Sequence, residues 1–419
     1  MLEQKKSTNP LIALILLLPA ILFGHTVFAQ GNDPLSSGQL AGNSLQDYIE
    51  YALIHNPRIS AAASEAESQR NQITISSSLP DPMAMSNFGF GSGYGIGVTQ
   101  RVPFPTKILT ERRAAIQMLD RQEARLEQIR SDIVAEVVEA YSHLYSAKRM
   151  HTILNDNLEL LKFLEDNVRV RYTVGGAPQS ELVRIQVEMT RAEDAIQSNK
   201  LNIDSYKQKF AAVLGTEDVS LIQVDVESEF VPGITGTDEE IIVRVLSENH
   251  TLQMMESELD AAGTMVSLAR QQYLPDFEVG TEYMGGGGMD GSWSVGLKMS
   301  LPVWVRRNQA EVQQASDIKE SVRKNREEVT NQIRAKAVSI VNELRDSKRK
   351  VELYTDVLIP QAAQVVQLTQ TDYRTGSSGI MELIDSQRTL LQLEEQIIAE
   401  QLRVKKAESE LIRLTGVNR

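Results

Sequence analysis

Two acidic residues in the last quarter of the chain have a spacing that suits ion handling. Glu382 and Asp385 follow Gly376 on a segment with helical periodicity, and residues three apart on a helix lie on one face. Carboxylates gathered around a narrow passage attract cations and repel anions. The alternative is that both acids are ordinary solvated residues of a helix surface. Which of the two holds depends on the elements that carry the pair.

Other residue types that carry chemistry give no comparable pattern. His143 and His151 lie eight apart without an H-E-x-x-H motif, and the chain has no cysteine, which excludes disulfides, thiolate ligands and thiol nucleophiles. The sequence contains no P-loop motif, and no grouping of nucleophile, base and orienting residue can be singled out. We therefore expect no resident metal, no cofactor and no enzymatic activity.

Met83 and Met85 could suggest a soft-metal site, because thioether sulfur binds soft cations. Residues two apart on a strand share one face. Contact with lipid, or packing, is the favoured interpretation of this pair.

The composition describes an acidic chain of ordinary polarity. It has 419 residues, of which 42% are hydrophobic and 24% charged, with 43 basic against 56 acidic side chains and a formal net charge of −13. This balance is too polar for a multi-helix membrane protein and too apolar for a disordered one. Nucleic acid is not expected as a partner, because there is no basic excess to neutralise phosphates.

The N-terminal segment has the pattern of an export signal. Lys5 and Lys6 precede a short apolar run over 11–23. A basic start, a short apolar core and small residues at its end are typical of a signal peptide, which would cover residues 1–29. A membrane anchor is the alternative, but a span needs about 20 apolar residues. We therefore expect export, with an N-terminal extension over 30–44.

The chain contains two copies of one plan. Ordered matches at offsets that drift from 193 to 201 indicate a tandem duplication. The matched segments are Ala52–Pro57 with Val245–His250, Leu79–Asp81 with Leu274–Asp276, Val102–Phe104 with Leu301–Val303, Tyr172–Gly175 with Tyr373–Gly376, and Leu214–Gly215 with Thr415–Gly416. The repeats are predicted over 45–215 and 238–416, with a linker over 216–237.

Each repeat is predicted to run through one helix, a strand pair, a very long helix, a glycine-marked turn and a shorter helix. The first long segment, about 106–174, contains neither proline nor glycine, and its apolar residues recur at helical spacing. A glycine-marked turn leads to a return helix over about 178–214. The second repeat has the same helices over about 306–374 and 380–414, with Pro360 expected to kink or break the long one. Rods of this length need lateral partners, as in a coiled coil or a tube of helices.

A strand pair precedes each long helix, over about 81–102 and 274–301. In both pairs, apolar or aromatic residues alternate with small or polar ones, as they do in strands. Alternation in segments of about 10 residues is typical of transmembrane β-barrel strands. The alternative is a hairpin half-buried on a soluble domain. The residues predicted to face the membrane are Phe88, Phe90, Tyr94, Phe277, Tyr283, Trp293, Val295 and Leu297.

Two strand pairs cannot close a barrel in lipid. Such barrels have at least about eight strands, because an open edge leaves backbone groups unpaired in hydrocarbon. Several chains must therefore share one barrel, and three would supply about 12 strands above a tube of helices. The predicted fold class is mainly α-helical with a transmembrane β-barrel part.

The motifs of both repeats resemble those of the TolC family of outer-membrane efflux ducts. The similarity rests on Leu358–Gln361, Asp372–Gly376, Glu382–Arg388 and Leu414–Gly416, with Ala52–Pro57 in the first repeat and the duplication itself. It implies a homotrimer whose shared barrel lies in the outer-membrane lipid of a Gram-negative bacterium and continues into a periplasmic α-helical barrel. It also implies docking to a periplasmic adaptor (a membrane fusion protein) and to an inner-membrane pump of the RND type.

One segment resembles a particular branch of that family. Gln100–Lys107 is similar to the Q-x-x-P-x-P-G-K pattern of the heavy-metal efflux branch, called CzcC-like or CusC-like, with Thr106 in place of the glycine. The resemblance implies a channel that passively conducts heavy-metal cations. Drug efflux or type I secretion is the alternative. A periplasmic helical adaptor or scaffold is the alternative of a different class.

The resemblance also assigns residues to the periplasmic end of the duct. Glu382 and Asp385 match the paired aspartates of the family's aperture, Tyr373 matches an aromatic residue of that gate, and Glu181 matches its acidic partner. Ser378 stands where the best-known member has the arginine that completes the lock. The turns are expected to form tips that touch the adaptor, through Gly175, Gly176, Gly376, Ser377 and Ser378.

Overall fold

We describe the chain from a computed structural model, which covers residues 44–89, 93–224, 236–286 and 289–416. The predicted signal peptide, nearly all of the N-terminal extension, half of the predicted linker, and Phe90 lie outside the described residues.

Each repeat runs through two short helices, a hairpin and two long helical segments. The first comprises α1 (Leu45–His55), α2 (Pro57–Ser77), β1 (Met83–Gly89), β2 (Gly93–Val102), α3 (Pro105–Thr173) and α4 (Gln179–Leu214). The second comprises α5 (Asp238–Glu248), α6 (His250–Gln271), β3 (Phe277–Gly286), β4 (Met289–Met299), α7 (Val305–Leu353), α8 (Ile359–Thr375) and α9 (Ile380–Thr415). The duplicated plan is confirmed, except that two helices precede each hairpin instead of one.

An asparagine separates the two short helices of each repeat. Asn56 and Asn249 have extended backbones, and the side-chain oxygen of each accepts a hydrogen bond from the first turn of the helix that follows. The amide nitrogen of Asn56 donates to the carbonyl of Val213 at 2.7 Å, and that of Asn249 to the carbonyl of Leu414 at 2.9 Å. Each asparagine therefore both starts a helix and fastens the far end of its own repeat.

Pro360 does not break the second long rod. A π-helical turn, Tyr354–Leu358, joins α7 to α8, and the N–H of Ile359 donates to the carbonyl of Tyr354. Proline has no N–H to complete the usual ladder, and the wider turn accommodates that loss while the chain stays helical. Of the kink or break predicted at Pro360, the break is absent, and the π-helical turn is the local distortion of the rod.

The two repeats have equivalent cores. In the first, α1, α3 and α4 bury Tyr48, Ile133, Val137, Tyr141, Leu144, Phe210 and Leu214. In the second, α5, α7 and α9 bury Ile241, Val245, Ile333, Ala337, Ile340, Leu344 and Leu411. Burial of these side chains is the main force that holds the short helices against the rods. Among the described helices, none has a stretch long and apolar enough to cross a membrane.

The hairpins join into one antiparallel sheet in the order β1-β2-β3-β4. Its centre is the pairing of β2 with β3, in which Val98 lies opposite Thr281, so the sheet links the two repeats. One face carries Phe88, Tyr94, Ile96, Val98, Phe277, Val279, Thr281, Tyr283, Trp293, Val295, Leu297 and Met299. The other face carries Met85, Asn87, Gly95, Gly97, Thr99, Glu278, Gly280, Glu282, Ser294, Gly296 and Lys298.

A buried ion pair connects the repeats where strands meet rods. The ammonium group of Lys107 lies 2.8 Å from the carboxylate of Asp276 and 3.0 Å from the carbonyl of Leu274. Arg101 approaches the same carboxylate at 3.1 Å, and the backbone N–H of Phe104 donates to it. Burial alone would raise the pKa of Asp276, but the hydrogen bonds from Lys107 and Arg101 outweigh it, and the pKa is lowered.

Candidate functional site

The turns at the far ends of the rods have the same backbone in both repeats. Gly175 and Gly376 have φ angles of 77° and 80°, a conformation that glycine adopts without strain. The N–H of Gly175 donates to Tyr172 and that of Gly376 to Tyr373, both to backbone carbonyls. The turns lie at the glycines where the sequence predicts that the chain reverses direction.

Beneath the turns, the two helical hairpins share one apolar cluster, which we call the tip core. It contains Leu164, Val168, Ala177 and Ile185 from the first repeat and Tyr373, Ile380, Leu383 and Ile384 from the second. The two predicted tips are therefore adjacent in the fold, and α9 packs against the α3–α4 hairpin.

Tyr373 is the polar centre of the tip core. Its side chain is only 4% exposed, and its hydroxyl donates to Glu181 at 3.3 Å. The guanidinium of Arg171 lies 4.6 Å from the centre of the tyrosine ring and donates to the backbone carbonyl of Tyr373 at 3.2 Å. Burial raises the pKa of the Tyr373 hydroxyl, so it remains a donor at neutral pH.

Glu382 and Asp385 lie side by side on the exposed face of α9, opposite the tip core. Arg388 donates to Asp385 at 3.3 Å and also reaches Glu188 of the first repeat at 3.0 Å. Glu382 makes no hydrogen bond or ion pair with another described residue. The structure thus brings Tyr373 and Glu181 together and leaves the two acids of α9 open to solvent.

Two arginines of this region were not predicted as functional residues from the sequence. Arg171 stacks on Tyr373, and Arg388 ties Asp385 to Glu188, so each links the two repeats. The hydroxyl of Ser378 is buried without a hydrogen-bond partner among the described residues. The sequence signal that could have identified Arg171 is its position next to Tyr172, which begins the segment matched between the repeats.

The sheet gathers the aromatic and branched residues predicted to face a membrane. All of those that the structure describes lie on one face, where Val295 is 83% exposed and Trp293 and Leu297 are nearly as open. Met83 and Met85 lie on the opposite, glycine-rich face, with Met85 opposite Gly97. The methionine pair, for which we expected contact with lipid or packing, therefore lies on the face away from the aromatic residues.

No group of three or more histidine, aspartate or glutamate side chains within the described ranges is arranged to hold a metal ion.

The chain was then compared with known proteins. A sequence model of the family described as outer membrane efflux protein matches residues 241–417. The cobalt-zinc-cadmium resistance protein CzcC of Cupriavidus metallidurans is 20% identical over 358 residues, which cover 83% of this chain and 84% of that protein.

Solved structures of outer-membrane channels share the fold. The channel OprN aligns with a TM-score of 0.77 and 16% identity over 90% of this chain and 91% of its own. CusC aligns with a TM-score of 0.78 and 14% identity over 92% and 95%. These likenesses extend over both repeats, including the sheet and the long helices.

Proposed function

We propose, from the premise that this chain is a member of the outer membrane efflux protein family, that it forms the outer-membrane channel of a tripartite efflux system. The family is one of channels and not of enzymes. The observation that carries the proposal is an exposed apolar sheet face joined directly to very long helical rods. Passive conduction needs no catalytic group, because an inner-membrane pump supplies the driving free energy.

The sheet supports assembly into a trimer. β1 and β4 are its edges, and their outward backbone groups pair with no other strand in the part of the chain that the structure describes. Lipid cannot satisfy such groups, so a sheet that enters a bilayer must close. Three copies of the four-stranded sheet make 12 strands, which is an ordinary size for an outer-membrane barrel.

The rods support a periplasmic tunnel. α3 has 69 residues, which at about 1.5 Å per residue gives a length of about 100 Å. Such a helix reaches far below the membrane and carries the tips toward a periplasmic adaptor and an RND-type pump. The tips Gly175, Gly176, Gly376, Ser377 and Ser378 are the proposed adaptor contacts.

The acids of α9 support a cation-favouring aperture. Around a three-fold axis, Glu382 and Asp385 would place six carboxylates near the mouth of the tube. Tyr373 and Glu181 would hold this mouth closed by linking the second repeat to the first. An acidic mouth suits positively charged cargo.

Heavy-metal cations are the proposed cargo. The relative CzcC is named for cobalt, zinc and cadmium resistance, and the segment Gln100–Lys107 points to the same branch. Within this chain, however, Lys107 belongs to the buried junction between the repeats, so the segment supports branch membership and not a contact with the metal. A channel for drugs or secreted proteins is the competing outcome.

Planar lipid bilayers give the decisive test. The purified protein should insert as a trimer and form discrete, cation-selective channels. Glu382→Ala combined with Asp385→Ala should raise single-channel conductance or weaken block by divalent cations, because the carboxylates at the mouth are removed.

The control variant is Glu193→Ala combined with Asp194→Ala, which removes the same charge from an exposed part of α4 away from the turns. It should leave conductance and block unchanged. If both double variants behave like the parent, the gate assignment is wrong. If the parent is released from cells without detergent and forms no channels, a periplasmic adaptor replaces the channel as the function.

A further inference from the structure

We infer that the glycine-rich face of the sheet carries a transit site for soft metal cations, formed by the thioethers of Met85 and Met284 and the carboxylate of Glu282. The inference rests on the proposed channel, in whose barrel the apolar face contacts lipid and the glycine-rich face lines the lumen. It adds a binding step for the cargo at the strand end of the molecule, at the opposite end of the rods from the tips.

The three side chains come from strands one apart in the sheet. Met85 on β1 lies opposite Gly97 on β2, which lies opposite Glu282 on β3. Met284 follows two residues later on β3, on the same face, and lies opposite Gly95. Strands are about 4.8 Å apart, so the Cα atoms of Met85 and Glu282 are about 10 Å apart, and their long side chains can converge above the strand between them.

The strand between the ligands has glycine at both positions, so no side chain separates them. A β-carbon at Gly95 would lie 2.6 Å from Oε1 of Glu282 and 3.6 Å from Cγ of Met284. The carboxylate and this methionine therefore extend over the same glycine. Met85 and Glu282 also line one cavity of about 100 Å³ on this face. The ligands thus surround a space that is large enough for a cation.

Glu282 differs from the other glutamate of this face in having no cation beside it. Among the described residues, its carboxylate accepts one hydrogen bond, from the amide of Asn87 at 3.4 Å, and makes no ion pair. Glu278 is paired with the ammonium group of Lys298 at 3.0 Å. Lys298 borders the same cavity, but Glu278 already neutralises its charge. The charge of Glu282 therefore remains available to attract a cation.

The three ligands suit a soft cation that is bound weakly. Thioether sulfur favours soft cations such as Cu(I) and Cd²⁺, whereas Mg²⁺ prefers oxygen ligands alone. The carboxylate supplies the negative charge that the two neutral sulfurs lack. The site uses neither thiolate nor imidazole, which are the ligands of tight sites. Weak binding is what conduction requires, because a cation that enters must also leave.

Packing does not explain why methionines lie on this face. Met284 is 49% exposed, and Met83 is more exposed still. The branched aliphatic residues of the strands, such as Ile96 and Val295, lie on the opposite face. In the proposed barrel, the thioethers of the glycine-rich face are therefore exposed to the lumen, where cargo passes.

Block of the channel by Ag⁺ tests the site. Ag⁺ is soft like Cu(I) and stable in air, and nitrate salts keep it in solution. In planar bilayers, Met85→Leu combined with Met284→Leu should raise the half-blocking concentration of Ag⁺ about tenfold, because leucine keeps the size of methionine and removes the sulfur. Block by Mg²⁺ should not change. Equal Ag⁺ block in parent and double variant would overturn the site.

Met299→Leu is the matched control, because it removes a thioether from the opposite face of the sheet. Its half-blocking concentration of Ag⁺ should equal that of the parent. A rise as large as that of the double variant would show that Ag⁺ acts through exposed methionines in general, which would overturn the site.

Gly95→Ala tests the position of the carboxylate while all three ligands remain. The new β-carbon would lie 2.6 Å from Oε1 of Glu282, so the flexible carboxylate must move away. We expect the half-blocking concentration of Ag⁺ to rise several-fold, as it should in Glu282→Gln. If both variants block like the parent, Glu282 is not a ligand and the site as described is wrong.

Titration calorimetry separates this site from the proposed function. The full chain in mild detergent, titrated with silver nitrate, should bind one more Ag⁺ per chain than the double methionine variant. Channels with no such difference would overturn the site and leave the proposed function intact. A difference in Ag⁺ binding in a protein that forms no channels would overturn the proposed function, and with it the role of the site in transit.

Discussion

Lys107 belongs to a recognisable sequence motif, and its side chain also joins the two repeats. It lies in the segment that resembles the heavy-metal branch, yet its ammonium group is buried against Asp276 of the other repeat. Because the two residues are 169 positions apart, their pairing fixes the first rod against the second strand pair. A buried charge is tolerated only when it is paired in this way.

Lys107→Met should destabilise the protein by about 3 kcal/mol, because the partly buried Asp276 carboxylate then keeps only Arg101 and the Phe104 N–H as donors. The lowered pKa of Asp276 contributes stability above the usual carboxyl pKa, and this contribution is lost as the pH falls through the folded value. Thermal unfolding followed by circular dichroism should therefore show the largest difference from the parent near neutral pH.

Lys324→Met provides the comparison, since Lys324 pairs with Glu327 on an exposed helix surface. Its unfolding midpoint should match the parent. A Lys107 variant as stable as this one would show that the junction does not hold the repeats together.

Successive residues of a strand lie on opposite faces of the sheet. In β4, Val295 lies on the exposed apolar face, while the adjacent Ser294 lies on the glycine-rich face. Val295 and Ser294 lie on different faces because the pleat of a strand has a period of two residues. A substitution at Val295 or at Ser294 therefore changes one face of the sheet without changing the other.

Val295→Lys should prevent assembly in lipid, because a lysine on the lipid face of a barrel costs about 2–4 kcal/mol near the bilayer midplane. Ser294→Lys, with the same new charge on the other face, should still assemble. Heat-resistant trimers on electrophoresis after reconstitution into liposomes report the difference. Equal trimer yields would mean that this face does not contact lipid.

A single chain contains two copies of one repeat, and its four-stranded sheet is left with two edges that are unpaired within the described part of the chain. Its tips carry an exposed acid pair. Oligomerisation would complete the sheet, the tube and the aperture together. Selection of cargo would then fall to the pump, with the channel contributing a cation-favouring exit.

Co-expression with its own pump and adaptor, in a host that lacks an equivalent channel, should raise tolerance to zinc, cobalt or cadmium several-fold. The reason is that exported cations need a continuous path across the outer membrane. The Val295→Lys variant is the negative control, and growth at graded metal concentrations is the measurement. Raised tolerance to drugs with no change for metals would assign the channel to a different cargo.

The sequence determined the elements and their faces. Glycine-free apolar periodicity located α3 and α4, strict alternation located the strand pairs, and ordered matches revealed the duplication, because each of these is a property of neighbouring residues. For Pro360, the sequence left a kink and a break as alternatives, because a lone proline does not show whether the turn before it can widen. Tertiary structure alone decided which distant residues meet. Arg171 against Tyr373, Lys107 against Asp276 and Asn249 against Leu414 each depend on how whole rods pack, and a local pattern carries no record of a partner more than 150 residues away.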